Sequence, residues 1–111
     1  LANRLATRKQ THRKIYTVFS ALVDKDLSGI VEPLSHIIDE WHCAGLGGYR
    51  GQSGEQVAER LHRVLPDATV SVYATVAQAS QQLFAQATAE DIILVFGSFH
   101  TVADFMLFIE A

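Results

Sequence analysis

Cysteine, proline and charge are all scarce in this sequence, and each shortage closes off a class of protein. The single cysteine, Cys43, has no partner for an internal disulfide, which fits a reducing compartment. With only two prolines and seven glycines, no low-complexity tract or internal repeat breaks the 111 residues. Lys and Arg number nine against twelve Asp and Glu, for a net charge of −3. That balance carries no electrostatic footprint for nucleic acid or an anionic membrane surface. Apolar runs such as Ile92-Ile93-Leu94-Val95-Phe96 are far too short to span a bilayer. No charged start leads through an apolar stretch to a small-residue cleavage site, so secretion is not expected. A soluble, cytoplasmic protein with neither nucleic-acid nor membrane partners is the expectation.

What the chain has is apolar content. Hydrophobic residues make up 49% and charged residues 19%, enough to bury one core and too much for disorder. The chain opens on Leu1-Ala2-Asn3-Arg4-Leu5-Ala6, a helical pattern already in progress without an initiator methionine, so a preceding segment is expected.

From there strand-like and helix-like segments alternate. Ile15-Tyr16-Thr17-Val18-Phe19 is β-branched and aromatic, a strand. Ile30, Val31, Leu34, Ile37, Ile38 and Trp41 fall at helical spacing. Pro33 is tolerated only in that helix's first turn, which sets the start near Gly29. Trp41-His42-Cys43-Ala44 reads as a short second strand by position. Ser53 and Gln56 have capping-box spacing ahead of a helix with Val57, Ala58, Leu61, Val64 and Leu65 on one stripe. Thr69-Val70-Ser71-Val72-Tyr73 alternates as a third strand. Thr75 and Gln78 repeat the capping spacing before Val76, Ala79, Leu83, Phe84 and Ala87. Ile92 to Phe96 is apolar throughout, as in a parallel strand covered on both faces. Val102, Phe105, Met106 and Ile109 return to helical period, and the Phe105, Met106 and Ile109 stripe is expected in the core. The sum is an α/β fold: a Rossmann-like three-layer αβα sandwich on a mostly parallel sheet of four or more strands, with order 3-2-1-4. The strands ending at Phe19 and Phe96 are then neighbours, and ligands belong beyond their carboxyl ends.

Two loops stand at that end. Asp24-Lys25-Asp26 follows the first strand; Asp26 suits a helix cap and Lys25 a carboxylate or phosphate, against the plainer reading of a solvated loop. Gly97-Ser98-Phe99-His100-Thr101 follows the last. Its glycine allows close backbone approach, the coming helix aims free amides at an anion, and Ser98, His100 and Thr101 add donors. The plainer reading there is an N-cap with His100 on the rim. Gly45-Leu46-Gly47-Gly48-Tyr49-Arg50-Gly51 has neither dinucleotide nor P-loop spacing and reads as a flexible connection, with Arg50 a candidate anion contact. His12, His36, His42 and His62 lack metal-ligand spacing, and Cys43 is expected to be buried with no base beside it. No catalytic triad or metal centre emerges.

Three stretches resemble one family. Val18-Phe19-Ser20-Ala21-Leu22-Val23-Asp24-Lys25-Asp26 looks like the strand-to-loop passage of folylpolyglutamate synthase/dihydrofolate synthases. Tyr49-Arg50-Gly51 is similar to their proline-arginine-glycine turn. Val95-Phe96-Gly97-Ser98-Phe99-His100-Thr101-Val102-Ala103 matches their carboxy-terminal signature. Ser20 and Ala21 depart from the glycine and methionine common there. The resemblance implies one domain, residues 1–111, the carboxy-terminal domain of the Mur ligase type. It further implies a parent enzyme that uses ATP and Mg²⁺ to join L-glutamate to dihydropteroate or folate through an acyl phosphate. Asp24, Lys25, Asp26, Ser98, His100 and Thr101 would then face the cleft toward an amino-terminal ATPase domain. The family's nucleotide-contacting first strand is expected ahead of Leu1, so this chain alone is expected to bind no cofactor and to be inactive. The competing expectations are a free-standing α/β binding or receiver-like module, and an oligomerisation domain.

Overall fold

The computed structural model describes residues 14–21, 26–47, 51–97 and 99–110, the side chains of Phe99 and His100 apart. Four strands form the sheet: β1 (Ile15–Phe19), β2 (Glu40–Ala44), β3 (Val70–Tyr73) and β4 (Ile92–Phe96). All pairings are parallel and the order is β3-β2-β1-β4, as the alternation of segments predicted. Parallel neighbours need crossovers, supplied by α1 (Ser28–Val31) with a 3-10 turn at Glu32–Leu34, α2 (Gly54–Val64) and α3 (Val76–Gln86), with α4 (Phe99–Glu110) after the last strand.

Side chains alternate across the pleat, so each strand feeds two cores. Ile15, Phe19, Trp41 and Cys43 pack with Val31 of α1 and Val57 and Leu61 of α2. Tyr16, Val18 and Ala44 pack on the opposite face with Val76, Ala79 and Leu83 of α3. The chain steps from β1 to β2 to β3 under one layer of helices and returns to β4 under the other, which makes three layers. Among the described residues, no helix is long and apolar enough to cross a membrane.

Local rules account for most boundaries. Ser53 Oγ accepts from Gln56 N at 3.1 Å and Gln56 Oε1 accepts from Ser53 N at 2.9 Å, the reciprocal box at the head of α2, worth about 1 kcal/mol. Thr75 Oγ1 likewise accepts from Gln78 N, but Gln78 Oε1 takes the Ala74 amide instead, so only half of the second box forms.

Three expectations are corrected. The helix read from Ile30 to Trp41 is one α-turn, then a 3-10 turn ending at Leu34, and Trp41 lies in β2. Pro33 sits beyond the first turn, where it has no amide to continue the ladder. Ile37 and Ile38 are still buried, from a turn rather than a helix face. β4 does contribute to both cores, yet its residues are all half-buried because it forms the sheet edge. On α4 only part of the expected stripe is core: Phe105 packs inward, whereas Met106 and Ile109 are 46% and 47% exposed. Phe84 of α3 is half exposed and meets the Phe105 and Phe108 rings edge-on. A helical period marks an apolar face without saying whether a neighbour covers it.

Candidate functional site

The switch in strand order falls between β1 and β4, which pair in register from Ile15↔Ile92 to Phe19↔Phe96. Chain direction diverges there, and in an open parallel sheet the ligand end lies beyond the carboxyl ends of the two strands at such a switch. Ser20 and Ala21 leave β1 fully buried, and Thr101 in the first turn of α4 is fully buried too. The Ser20 and Thr101 hydroxyls are hydrogen-bonded to each other across 81 positions of sequence. Gly97 turns between β4 and α4 at φ 128°, a conformation L side chains avoid, and a Cβ there would collide with the Ser20 carbonyl oxygen. At this end of the sheet main chain thus presses on main chain, beside the pair of buried hydroxyls.

Of the residues singled out in the sequence, Asp26 and Thr101 are described in full. Asp26 is exposed, and its Oδ1 accepts from Ser28 N at 3.2 Å and Ser28 Oγ at 3.0 Å. It therefore satisfies a free amide at the start of α1, although the N-cap position itself is Leu27. Asp26 also shares a shallow cleft of about 210 Å³ with Arg60 and Arg63 of α2, neighbours that spacing along the chain does not reveal. The His100 backbone lies in the first turn of α4. Asp24, Lys25, Arg50 and Ser98, and the His100 side chain, lie outside the described residues. Ser20 is the participant sequence reasoning missed; its one signal was a hydroxyl directly after a strand at the ligand end of the sheet.

A larger cavity of about 430 Å³, lined by His36, Asp39, Trp41, Leu65 and Asp67 among others, opens at the amino-terminal ends of β2 and β3. That is the wrong end of a parallel sheet for a switch-point site, so size alone does not make it the site. Among the described residues, no three or more His, Cys, Asp or Glu side chains gather closely enough to hold a metal ion. Cys43 is buried as expected, and burial pushes its thiol up to about 12, far from a reactive thiolate.

A second polar cluster lies inside the fold. His42 is buried on β2, with Nδ1 2.8 Å from Tyr73 Oη and Nε2 3.1 Å from Glu40 Oε1. A carboxylate can only accept, so Nε2 carries the proton and Nδ1 receives the Tyr73 hydroxyl. Lys14 Nζ and Gln86 Nε2 also donate to Glu40, at 3.3 and 3.1 Å. Burial holds His42 below its ordinary 6.5, outweighing the Glu40 carboxylate that favours its charged form. Burial pushes Glu40 up, but hydrogen bonds from His42, Lys14 and Gln86 overcome it and leave the carboxyl below its ordinary 4.5. The unfolded chain thus takes up protons before the folded one in both cases. Stability is expected to fall as pH drops through 6.5, and again below 4.5. Urea midpoints at pH 7.5 and 5.5 check the first step, and His42→Gln should flatten it.

Comparisons with known proteins place the chain in a family. The family model for the Mur ligase, glutamate ligase domain matches residues 1–99. The chain belongs to that family. A dihydrofolate synthase/folylpolyglutamate synthase of Haemophilus influenzae is 42% identical to it over 105 residues, which is 95% of this chain and 24% of the relative. The bifunctional enzyme of Yersinia pestis, solved with AMPPNP and a Mn ion, superposes with a TM-score of 0.79 at 39% identity, over 98% of this chain and 25% of that one. A bifunctional folylpolyglutamate synthase/dihydrofolate synthase solved with Mn, AMPPNP and L-glutamate bound gives a TM-score of 0.77 at 38% identity, over 99% of this chain and 26% of that one. This glutamate ligase domain thus spans about a quarter of the length of the relatives it matches. It is homologous to the carboxy-terminal domain of those enzymes, and the resemblance carried by the three sequence stretches extends over nearly the whole chain.

Proposed function

We propose that residues 1–111 form the carboxy-terminal, glutamate-side domain of a cytoplasmic dihydrofolate synthase/folylpolyglutamate synthase, active only within its longer parent chain. In the parent, ATP activates a dihydropteroate or folate carboxylate as an acyl phosphate. The amine of L-glutamate then attacks the acyl carbon, the C–O bond to phosphate breaks, and an amide, a proton and inorganic phosphate result. The family match carries this reading, joined by relatives solved with a nucleotide analogue and L-glutamate.

The domain's share is placement. The β1 exit, with Asp24, Lys25 and Asp26, and the head of α4, with Ser98, His100 and Thr101, form one wall of a cleft closed by the amino-terminal ATPase domain. Lys25 offers a point charge for a carboxylate, α4 offers free amides, and Arg50 is a further anion contact. Holding the amine against the acyl carbon in a closed, dry cleft supplies the rate. ATP and Mg²⁺ belong to the rest of the parent chain. A receiver needs an aspartate at the end of a later strand, whereas among the described residues β2, β3 and β4 end in Ala44, Tyr73 and Phe96.

Given MgATP and a folate acceptor, the parent should release ADP at a rate that rises with L-glutamate and saturates. Lys25→Ala and His100→Ala should raise the KM for glutamate roughly tenfold, the loss of about one charge-assisted contact. ADP release indifferent to glutamate would remove the reading, and unchanged glutamate kinetics in both variants would remove the site.

A further inference from the structure

We propose that the open edge of β4, together with the overhanging flank of α4, receives a further β-strand from the parent chain; this rests on the parent-chain reading above. β4 ends the order β3-β2-β1-β4, so among the described residues its outer side has no neighbouring strand. Natural edge strands are blunted by charges, proline or bulges. The opposite edge, β3, carries Ser71 between two valines, with Ser71 and Val72 both exposed. β4 has no such device. Ile92-Ile93-Leu94-Val95-Phe96 is apolar at every position, and its register with β1 runs unbroken. Such a run belongs inside a parallel sheet, covered on both faces. Its residues are nonetheless all half-buried.

The second observation is where α4 stands. α3 packs over β1, β2 and β3, and α4 packs over β4. α4 meets α3 through Phe105 and Phe108, whose rings lie against Phe84. At about 3.6 residues per turn, Val102 and Ile109 fall on the flank of Phe105 opposite Phe108. That flank is turned away from α3 and so projects past β4, over the open side of the sheet. Val102 and Ile109 are 43% and 47% exposed there. Met106 lies further round the helix, away from the sheet. An open ladder beneath an apolar overhang fits a strand, which supplies main-chain partners and an apolar face together. A packed helix supplies only the second. The relatives leave ample chain for such a strand, since this domain spans about a quarter of their length. The two parts of the parent then share one sheet and core rather than meeting at a surface.

The direction of the amides makes the added strand readable. The Ile92 amide donates to Lys14 O, at the head of β1. By alternation the Leu94 and Phe96 amides also face β1, and those of Ile93 and Val95 face the open side. The test is residue-resolved amide hydrogen exchange on the full parent enzyme. Ile93 and Val95 are expected to exchange within about tenfold of Leu94. Exchange about a hundredfold or more faster than Leu94 would show an open edge and overturn the proposal. Protection lost on dilution, as a dimer dissociates in sedimentation, would give the edge to a second copy and overturn it too. Ile109→Asp should speed exchange at Ile93 and Val95 about tenfold. Leu107→Asp, at a position 66% exposed, should leave it unchanged. Equal effects of the two substitutions would overturn the overhang and the proposal with it. Ile109→Ala takes the place of Ile109→Asp if the latter fails to fold. Ligation assayed on the same unsubstituted enzyme separates the failures. A parent that ligates no glutamate removes the functional reading, and one that ligates with an open β4 edge removes this proposal.

Discussion

Gly97→Ala is expected to destabilise the fold by about 3 kcal/mol or more. Two effects act together. At φ 128° an L side chain is strained whatever the space around it, and here the added Cβ would run into the Ser20 carbonyl oxygen, with Ser20 C and N at 3.0 and 3.1 Å. The obstacle is main chain, not a side chain that could swing away. That main chain in turn follows β1, which is paired on both sides by β2 and β4. Gly29 and Gly47 are the controls, since nothing lies within 4 Å of a Cβ built on either. Gly29→Ala, inside α1, should change stability by less than about 1 kcal/mol and could raise it. Urea denaturation midpoints separate these cases; equal effects at Gly97 and Gly29 would contradict the described turn.

The second large effect is at Trp41. The side chain is 1% exposed and lies edge-on to Phe19 and Phe96, with ring centroids 5.6 and 6.1 Å away. These three rings come from β2, β1 and β4, so they join three strands beneath one helical layer. Trp41→Ala takes the indole away from both phenylalanine rings and leaves a cavity, at a cost of about 3 to 5 kcal/mol. Against a typical domain stability of about 5 to 15 kcal/mol, that is enough to leave a large unfolded fraction. Met106→Ala on the exposed side of α4 should cost less than about 1 kcal/mol. Burial of Met106 in the core, as the sequence pattern suggested, would make the two losses comparable.

These contrasts show what was legible in the sequence. The bounds of β1 and the strand order could be read because Ile15–Phe19 is both β-branched and aromatic, and because alternating segments with short joins leave few topologies. Ser53 and Gln56 gave the start of α2 because both halves of the box are local in sequence. The segment after Gly29 misled because six apolar residues happened to fit a helical period across a turn and into β2. Length decided against it: Pro33 allowed one α-turn, and no period is informative over so short a stretch. On α4 the period was right and its meaning was not, because burial depends on neighbours a local pattern does not contain.

The site divides in the same way. Thr101 could be singled out from a local run of residues, and Asp26 from its place after a strand. Ser20 could not, since its partner lies 81 positions away and a serine after a strand is unremarkable alone. Glu40, His42 and Tyr73 come together for the same nonlocal reason, from two neighbouring strands in parallel register. Pattern reading finds what one segment encodes; the ligand end of the sheet is built where two segments meet.

The central claim, that this domain is the glutamate side of a folate ligase, is tested most directly by weighing products. The parent chain and the isolated domain would each be incubated with MgATP, L-glutamate and dihydropteroate or tetrahydrofolate, and the acceptors analysed by mass spectrometry. The account predicts acceptors heavier by one glutamyl residue with the parent and unchanged acceptors with the domain alone. A well-folded parent that leaves both acceptors unmodified would contradict it.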